Sequence, residues 1–385
     1  MKVKAIVFGL NSVNTLGLVR SLGLAKHDVY LILFDGLINF VSKSRFVKKS
    51  YIIKDYNEAL PTVKEIAKNI KEKPVLIVSG DKEGAYINEN YEEFIKYCYV
   101  EGGYKNCDIN KYRDKNKLDK LVKEVGLNTI ETILIKDNHD ITEKLEFPVI
   151  VKANNSISGG KEVVKVCKDK DVLKKHLSSV PKDDFPLQIQ PFIIKDYELM
   201  IQGCSLNNGK NVLAPVCFHK TRCCGCGDGY AAYGHSVFTY NNEIIKSLEE
   251  KISSILMRIG YIGLFSAEFL CRDGQFYFLE INFRNDGTSM LSTISGYNLP
   301  DYLCKWFVYN QIPKINKISF NKVHYMDFIS DFNNVLNKKV GLFTWLKQAF
   351  NNCYWYIFDR HDMLPGVYYI LFRIKRKLKN ILTRQ

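Results

Sequence analysis

The stretch Gly260–Gly287, GYIGLFSAEFLCRDGQFYFLEINFRNDG, alternates like two β-strands joined by a tight turn. Leu264–Cys271 is one run, Gln275–Phe283 is the other, and Asp273-Gly274 lies between them. An Asp-Gly pair between apolar, aromatic-rich runs is a strong short-range hairpin signal. Three polar side chains interrupt the strands: Glu268, Glu280 and Asn282. Glu280 and Asn282 are two apart and so share a sheet face, and antiparallel pairing about the turn brings Glu268 toward them. Two carboxylates and an amide oxygen on a half-buried face are costly unless something positive sits among them. A hard divalent cation meets that need, and Mg²⁺ carrying a nucleoside triphosphate suits the oxygen donors best. The competing reading is an ordinary solvated sheet face, because acidic residues are common on open faces.

The order Glu268-x11-Glu280-x-Asn282-x-Arg284, after Gly260-Tyr261-x-Gly263, resembles the metal-binding core of the ATP-grasp superfamily. The resemblance implies that Glu268, Glu280 and Asn282 hold Mg²⁺ (or Mn²⁺) on the phosphates of ATP. It places Arg284 beside the reacting carboxylate.

Composition sets the bounds. The chain has 385 residues, 46% hydrophobic and 25% charged, enough for two or three globular domains. The apolar run Ala5–Leu10 is too short for a signal-peptide core, and no stretch has the length of a transmembrane helix. Eleven cysteines without a secretory signal point to free thiols in a reducing, cytoplasmic setting. The net charge of +14 suits an anionic substrate, an anionic lipid surface or nucleic acid. Nucleic acid is set aside, because no base-stacking platform or recognised motif is present.

Residues 3–8 read as a buried parallel strand, Asn14–Leu24 as a helix and Val29–Phe34 as the next strand, a βαβ unit. Gly9 is followed by no second loop glycine, so the dinucleotide fingerprint is absent. Pro74–Ser79 gives another buried strand, with a helix from about Glu83. Gly17–Gly23, with Arg45-Phe46-Val47, resembles the preliminary domain of ligases of the D-aspartate ligase type.

A helix opens at Arg113-Asp114-Lys115 and ends at Gly126, a natural C′ residue. Lys115 matches the first ATP-grasp lysine, with Lys117 and Lys120 as nearby competitors. Phe147–Lys152 is a strand ending in lysine, followed by the small-residue run 153–161. Lys152 resembles the second ATP-grasp lysine, and Ser158, Gly159 and Gly160 its phosphate-covering loop; small residues let backbone N–H groups approach an anion. It is not a Walker loop, which needs Gly-Lys-Ser/Thr opening a helix. In Leu187–Phe192 the family's adenine-binding segment is expected. Gln190 stands where the family often has Glu, and Glu198 is the expected ribose ligand.

Residues 217–235 hold Cys223-x-x-Cys226 together with His219 and His235, a weak candidate Zn²⁺ set because no second Cys pair accompanies it. The preferred reading is a glycine-rich loop over the site, with Lys220 and Arg222 facing the acyl phosphate or the substrate carboxylate. The D-aspartate ligase type resembles this stretch through Lys-x-Arg before a Gly loop, but it often has proline near Cys224.

After about Pro313 the resemblance fades. From Gly366 apolar residues recur at helical spacing among Arg373, Lys375, Arg376, Lys377 and Lys379, and no acid follows Asp362. Such a helix is expected either to lie on anionic membrane through residues 366–385, at the inner membrane face, or to pack on the body with its basic side in water. The expected fold is α/β and α+β: a Rossmann-like preliminary domain (1–110), then a two-lobed ATP-grasp domain (111–312, lobes 111–186 and 187–312), then an extension (313–385). The activity implied is an ATP-dependent carboxylate–amine ligase acting on small molecules through an acyl phosphate. An ATP-grasp kinase, a carboxylase or thiol-ligase variant and a non-catalytic ATP binder are the alternatives. The identity of both substrates and the oligomeric state stay open.

Overall fold

Lys4–Gly9 (β1) and Asp28–Phe34 (β2) pair in parallel, and the helix Val13–Leu24 crosses between them. Val47–Ile53 (β3), Val75–Val78 (β4) and Tyr99–Val100 (β5) complete a parallel sheet of order β3-β2-β1-β4-β5. Both faces of β1 are covered: Ile6 and Phe8 pack toward the helix Ala59–Ile70, while Ala5 and Val7 pack with Leu16, Val19 and Leu22 of the first helix. That is why β1, β2 and β4 read as unbroken apolar runs. The helix Val13–Leu24 starts where Ser12 caps it by accepting from the Thr15 backbone N–H.

The computed structural model describes residues 1–103, 109–137, 145–154, 163–223, 231–316 and 320–382, with side chains to residue 378. Gly102–Gly103 (β6) leads out of the first sheet and pairs with the hairpin strand described below. Asn128–Thr129 (β7) belongs to the large sheet, whereas Ile133–Ile135 (β8), Val149–Ala153 (β9), Lys165–Cys167 (β10) and Leu187–Pro191 (β11) form a small antiparallel sheet, order β10-β9-β11-β8. The helix Lys170–Leu177 packs on it through Leu173 and Leu177.

The large sheet is built on Tyr197–Leu206 (β12), Asn211–Cys223 (β13), Ala231–Phe238 (β14), Tyr261–Arg272 (β15) and Gln275–Asn282 (β16). The helix Glu243–Ile259 covers one face with Ile245, Leu248, Ile252, Ile255 and Leu256; Gly260, at φ 72°, ends it in the left-handed conformation. The expected hairpin is present: Asp273 (φ 51°) and Gly274 (φ 74°) both take positive φ, as a two-residue turn of the primed type needs. The chain after Pro313 returns to the body. His324–Met326 (β17) and Cys353–Trp355 (β18) lengthen the large sheet beyond β14, and the helix Leu364–Leu382 returns to the first unit.

The return is fixed by Arg20, which has no exposed surface. Its five N–H groups are all used: Nε donates to Asp362 Oδ2 (2.9 Å), and the two terminal nitrogens donate to Tyr354 Oη and to the carbonyls of Tyr356, Ile357 and Asp362. Asp362 also accepts from the Ser44 hydroxyl (2.8 Å) and the Arg45 backbone N–H (2.9 Å).

Candidate functional site

Strand register places the polar residues of the large sheet in one field. Glu268 of β15 lies directly opposite Glu280 of β16, and Ser266 lies opposite Asn282. On the other side of β15, Glu268 faces Met200 of β12 and Ser266 faces Gln202. Glu198, two places before Met200 in β12, faces Lys220 of β13. With side chains alternating along each strand, Glu198, Gln202, Lys220, Glu268, Glu280 and Asn282 emerge on the face away from the helix Glu243–Ile259.

Within this field the charges are packed closely. The Asn282 amide nitrogen donates to Glu268 Oε1 (3.1 Å) and to Glu280 Oε1 (3.3 Å), so its partly positive hydrogens fill the gap between two carboxylates. Lys115 Nζ lies 3.2 Å from Glu280 Oε2. Burial and the neighbouring Glu280 charge push the Glu268 carboxyl well above the usual range. Burial works in the same sense on Glu280, but Lys115, Lys152 and Arg284 together pull it below that range. Glu268 thus lacks the positive charge that Glu280 has beside it, and a cation bound between the two would supply it. Ser266, between Gln202 and Asn282 in the register, keeps a buried hydroxyl without a hydrogen-bond partner. By donor chemistry, two carboxylates and an amide oxygen fit a hard divalent ion, once the Asn282 amide turns its Oδ1 from Arg284 toward the carboxylates. Among the described residues no set of three or more His, Cys, Asp or Glu is arranged as a metal site, so the amide would have to be the third donor.

Lys115 opens the helix Lys115–Glu124, whose cap is Asp114, and its backbone N–H donates to the Asn154 carbonyl just past β9. Lys117 and Lys120 point to solvent, so of the three lysines it is Lys115 that reaches the carboxylates. Lys152 of β9 lies opposite Gln188 of β11. Burial lowers its pKa, and Lys115 lowers it further against the pull of Glu280, Glu198 and Glu268, leaving it at about 8. Two lysines from the small sheet and its leading helix therefore face the carboxylates of the large sheet. Ser158, Gly159 and Gly160 lie outside the described residues.

Arg284 is held by groups from two units. Its Nη2 donates to Asn282 Oδ1 (3.1 Å) and its Nε to Asp81 Oδ2 (2.8 Å). Asp81 begins the helix Asp81–Glu89 after β4 and also takes Arg113 Nη1 (2.8 Å) on its other oxygen. Burial alone would lower the Arg284 pKa, but Asp81 and Asp286 raise it, so the guanidinium stays charged.

The other expected residues are less uniform. Glu198 is held between Lys195 and Lys220, which keep its carboxyl low against the effect of burial. Lys220 is correspondingly raised by Glu198 despite burial. Gln190 donates to the Thr132 hydroxyl (2.8 Å) across the small sheet. Arg222 does not join the field. Pairing between β13 and β14 is irregular at Lys220–Arg222, which breaks the alternation, and Arg222 makes a two-pronged bond to Asp331 (2.9 and 2.5 Å) with its plane over Tyr233. The expectation that it faces the substrate is thus not met here. For the Zn²⁺ alternative, His219 and His235 stand edge to face with centroids 4.8 Å apart, while Cys226 lies outside the described residues.

Sequence reasoning did not single out Asp81, Arg113, Gln202 or Asp286. Asp286 takes Thr288 and Gln202 on one oxygen and adds to the crowding at Glu268. Its signal was available in Asn285-Asp286-Gly287, directly after the strand. Asp81 follows the carboxyl end of β4, where the sheet order reverses and α/β sheets place their ligands.

A family profile described as "ATP-grasp domain" matches residues 120–302. Among curated proteins, the chain is 22% identical over 255 residues to the C-terminal section of the carbamoyl phosphate synthase large chain of Aquifex aeolicus, covering 63% of this chain and 47% of that protein. The chain thus spans about half the length of that relative, or less of others. Among solved structures, L-amino acid ligase from Bacillus licheniformis superposes with a TM-score of 0.61 at 16% identity, covering 79% of this chain and 73% of that one. N5-carboxyaminoimidazole synthetase from Staphylococcus aureus gives 0.60 at 16% identity over 81% and 79% of the two chains.

Proposed function

Taking as premise that residues 120–302 form an ATP-grasp domain, we propose that the protein is an ATP-dependent ligase joining a small carboxylate to an amine. The observation that carries this reading is the register that sets Glu268 against Glu280 with Asn282 between them, facing Lys115 and Lys152 and ending at Arg284. Glu268, Glu280 and Asn282 would hold Mg²⁺ (or Mn²⁺), whose chemistry when bound is to screen the phosphate oxygens. Lys115 and Lys152 hold the ATP phosphates, with Ser158, Gly159 and Gly160 as the covering loop. Glu198 and Gln190 are assigned to the nucleoside end.

Arg284 holds the substrate carboxylate in the grip of Asp81 and Asn282. A carboxylate oxygen attacks the γ-phosphorus; the bond from that phosphorus to the β–γ bridging oxygen breaks, giving acyl phosphate and ADP. The amine then attacks the acyl carbon, phosphate leaves with the C–O bonding pair, and the amine proton passes to solvent or base. Positioning and charge neutralisation suffice for such a transfer, so no protein nucleophile is required. Lys220, ion-paired with Glu198, is assigned with Arg222 to the acyl phosphate or the substrate carboxylate, and Arg222 takes part only if its bond to Asp331 opens.

The test is a panel of amino acids, other carboxylates and bicarbonate, with and without amines. We expect one acid to release ADP and phosphate, its carboxylate ¹⁸O to appear in the phosphate, and hydroxylamine to trap a hydroxamate. Release of AMP and pyrophosphate would mark an adenylating enzyme and overturn this reading. A phosphorylated product stable to amines would mark a kinase.

A further inference from the structure

The helix Leu364–Leu382 has two apolar sides, and among its described side chains only one of them is used by the fold. At about 100° per residue, Tyr368, Tyr369 and Phe372 fall on one side. That side packs on the body: the Tyr369 and Phe372 rings lie 5.2 and 6.0 Å from Phe40, and Lys43 lies over Tyr368. Gly366 anchors the first turn, since a Cβ there would meet the Phe358 ring at 2.6 Å. The docking therefore fixes which way the rest of the helix faces.

Val367, Ile370, Leu371, Ile374 and Leu378, with Leu364, fall in a second stripe about 120° wide, roughly 150° away from the aromatic side. All six are exposed, Ile374 by 51%. Exposed aliphatic residues scattered singly need no explanation, but a continuous stripe does. Lys375 and Lys377 stand at its two edges, both exposed, and the sequence has no acid after Asp362. The helix Leu342–Phe350 repeats the pattern: Trp345 and Ala349 are buried, while Phe343 is 88% and Phe350 70% exposed. Half of the large apolar side chains left exposed among the described residues lie between Phe332 and Leu378.

We propose that the aliphatic stripe of the helix Leu364–Leu382 seats the protein on an anionic membrane, with Lys375 and Lys377 reaching the lipid headgroups. An apolar stripe edged by lysines, on a helix held in place by its opposite side, matches a helix lying in the interfacial plane. Crossing is not an option, since none of the described helices is long and apolar enough to span a bilayer. A second copy of the chain is the poorer occupant: two-fold pairing of this stripe would set its lysine edges against each other.

The test uses the full chain and two sets of sedimenting vesicles, phosphatidylglycerol mixed with phosphatidylcholine, and phosphatidylcholine alone. We expect sedimentation with the first set, weakened by salt, and little with the second. Ile370→Glu with Ile374→Glu should abolish it and leave the circular dichroism spectrum unchanged, because both side chains are already in water. Lys375→Gln with Lys377→Gln should weaken it by roughly thirtyfold, the loss expected for two lysines at a lipid surface. Absence of binding to the anionic vesicles at low salt overturns the proposal, as does binding that the double Glu variant retains. Self-association in light scattering, abolished by the same variant, assigns the stripe to a second copy instead.

Discussion

Lys152 shows how much a single residue carries. Burial and Lys115 hold its pKa at about 8, against an ordinary 10.5. A lysine depressed in this way makes the unfolded chain bind more protons between those values, so stability rises with pH across that window. Nucleotide affinity should move the other way, because only the charged form neutralises phosphate. Thermal unfolding with and without ATP, from about pH 7 to 10, should show the apo protein gaining and the nucleotide increment shrinking. Lys152→Met should flatten both trends; parallel curves for the variant and the wild type would remove Lys152 from the phosphate site. At this scale the sequence was informative where residue spacing meets strand register. Glu268, Glu280 and Asn282 could be set together by counting, because side chains alternate with a fixed period of two. Asp81 and Arg113 could not, since their link to Arg284 depends on how the first unit packs against the large sheet.

At the scale of elements, the hairpin was legible because its turn demands unusual residues, and Asp273-Gly274 supplies them. Regular strands can be extrapolated, and irregular ones cannot. Arg222 was expected beside Lys220 at the start of a glycine-rich loop over the site, but it stands at the end of β13, where the shift in register against β14 diverts it to Asp331. Asp331 is fully buried and also takes Asn334 and Trp345. Arg222→Ala should therefore act on stability more than on catalysis, with a loss of about 3–5 kcal/mol for a buried partner left unpaired. Urea unfolding reads that loss, and the KM for ATP should stay within a few-fold of wild type. A large rise in KM with unchanged stability would return Arg222 to the substrate site. β17 and β18 escaped sequence reasoning because three-residue strands carry too little periodicity to stand out.

At the scale of the whole molecule, the last part of the chain completes the first. Arg20 was an ordinary helical residue in the sequence, because its partners are over three hundred residues away. Arg20→Met should leave Asp362 buried without its counter-charge, at a cost of about 3–5 kcal/mol, and should free the helix Leu364–Leu382 for early proteolytic cleavage. Wild-type resistance to protease and urea would show that the pair is dispensable. The same pairing has a bearing on how the protein is made. Arg20 precedes Asp362 by 342 residues. At about 5–20 residues per second, the ribosome delivers that carboxylate roughly 20–70 s after the arginine has emerged. For that interval the nascent first sheet carries a guanidinium meant for its interior with nothing to neutralise it. Its closing step thus waits on the synthesis of Asp362, leaving a long period in which a chaperone can engage the chain.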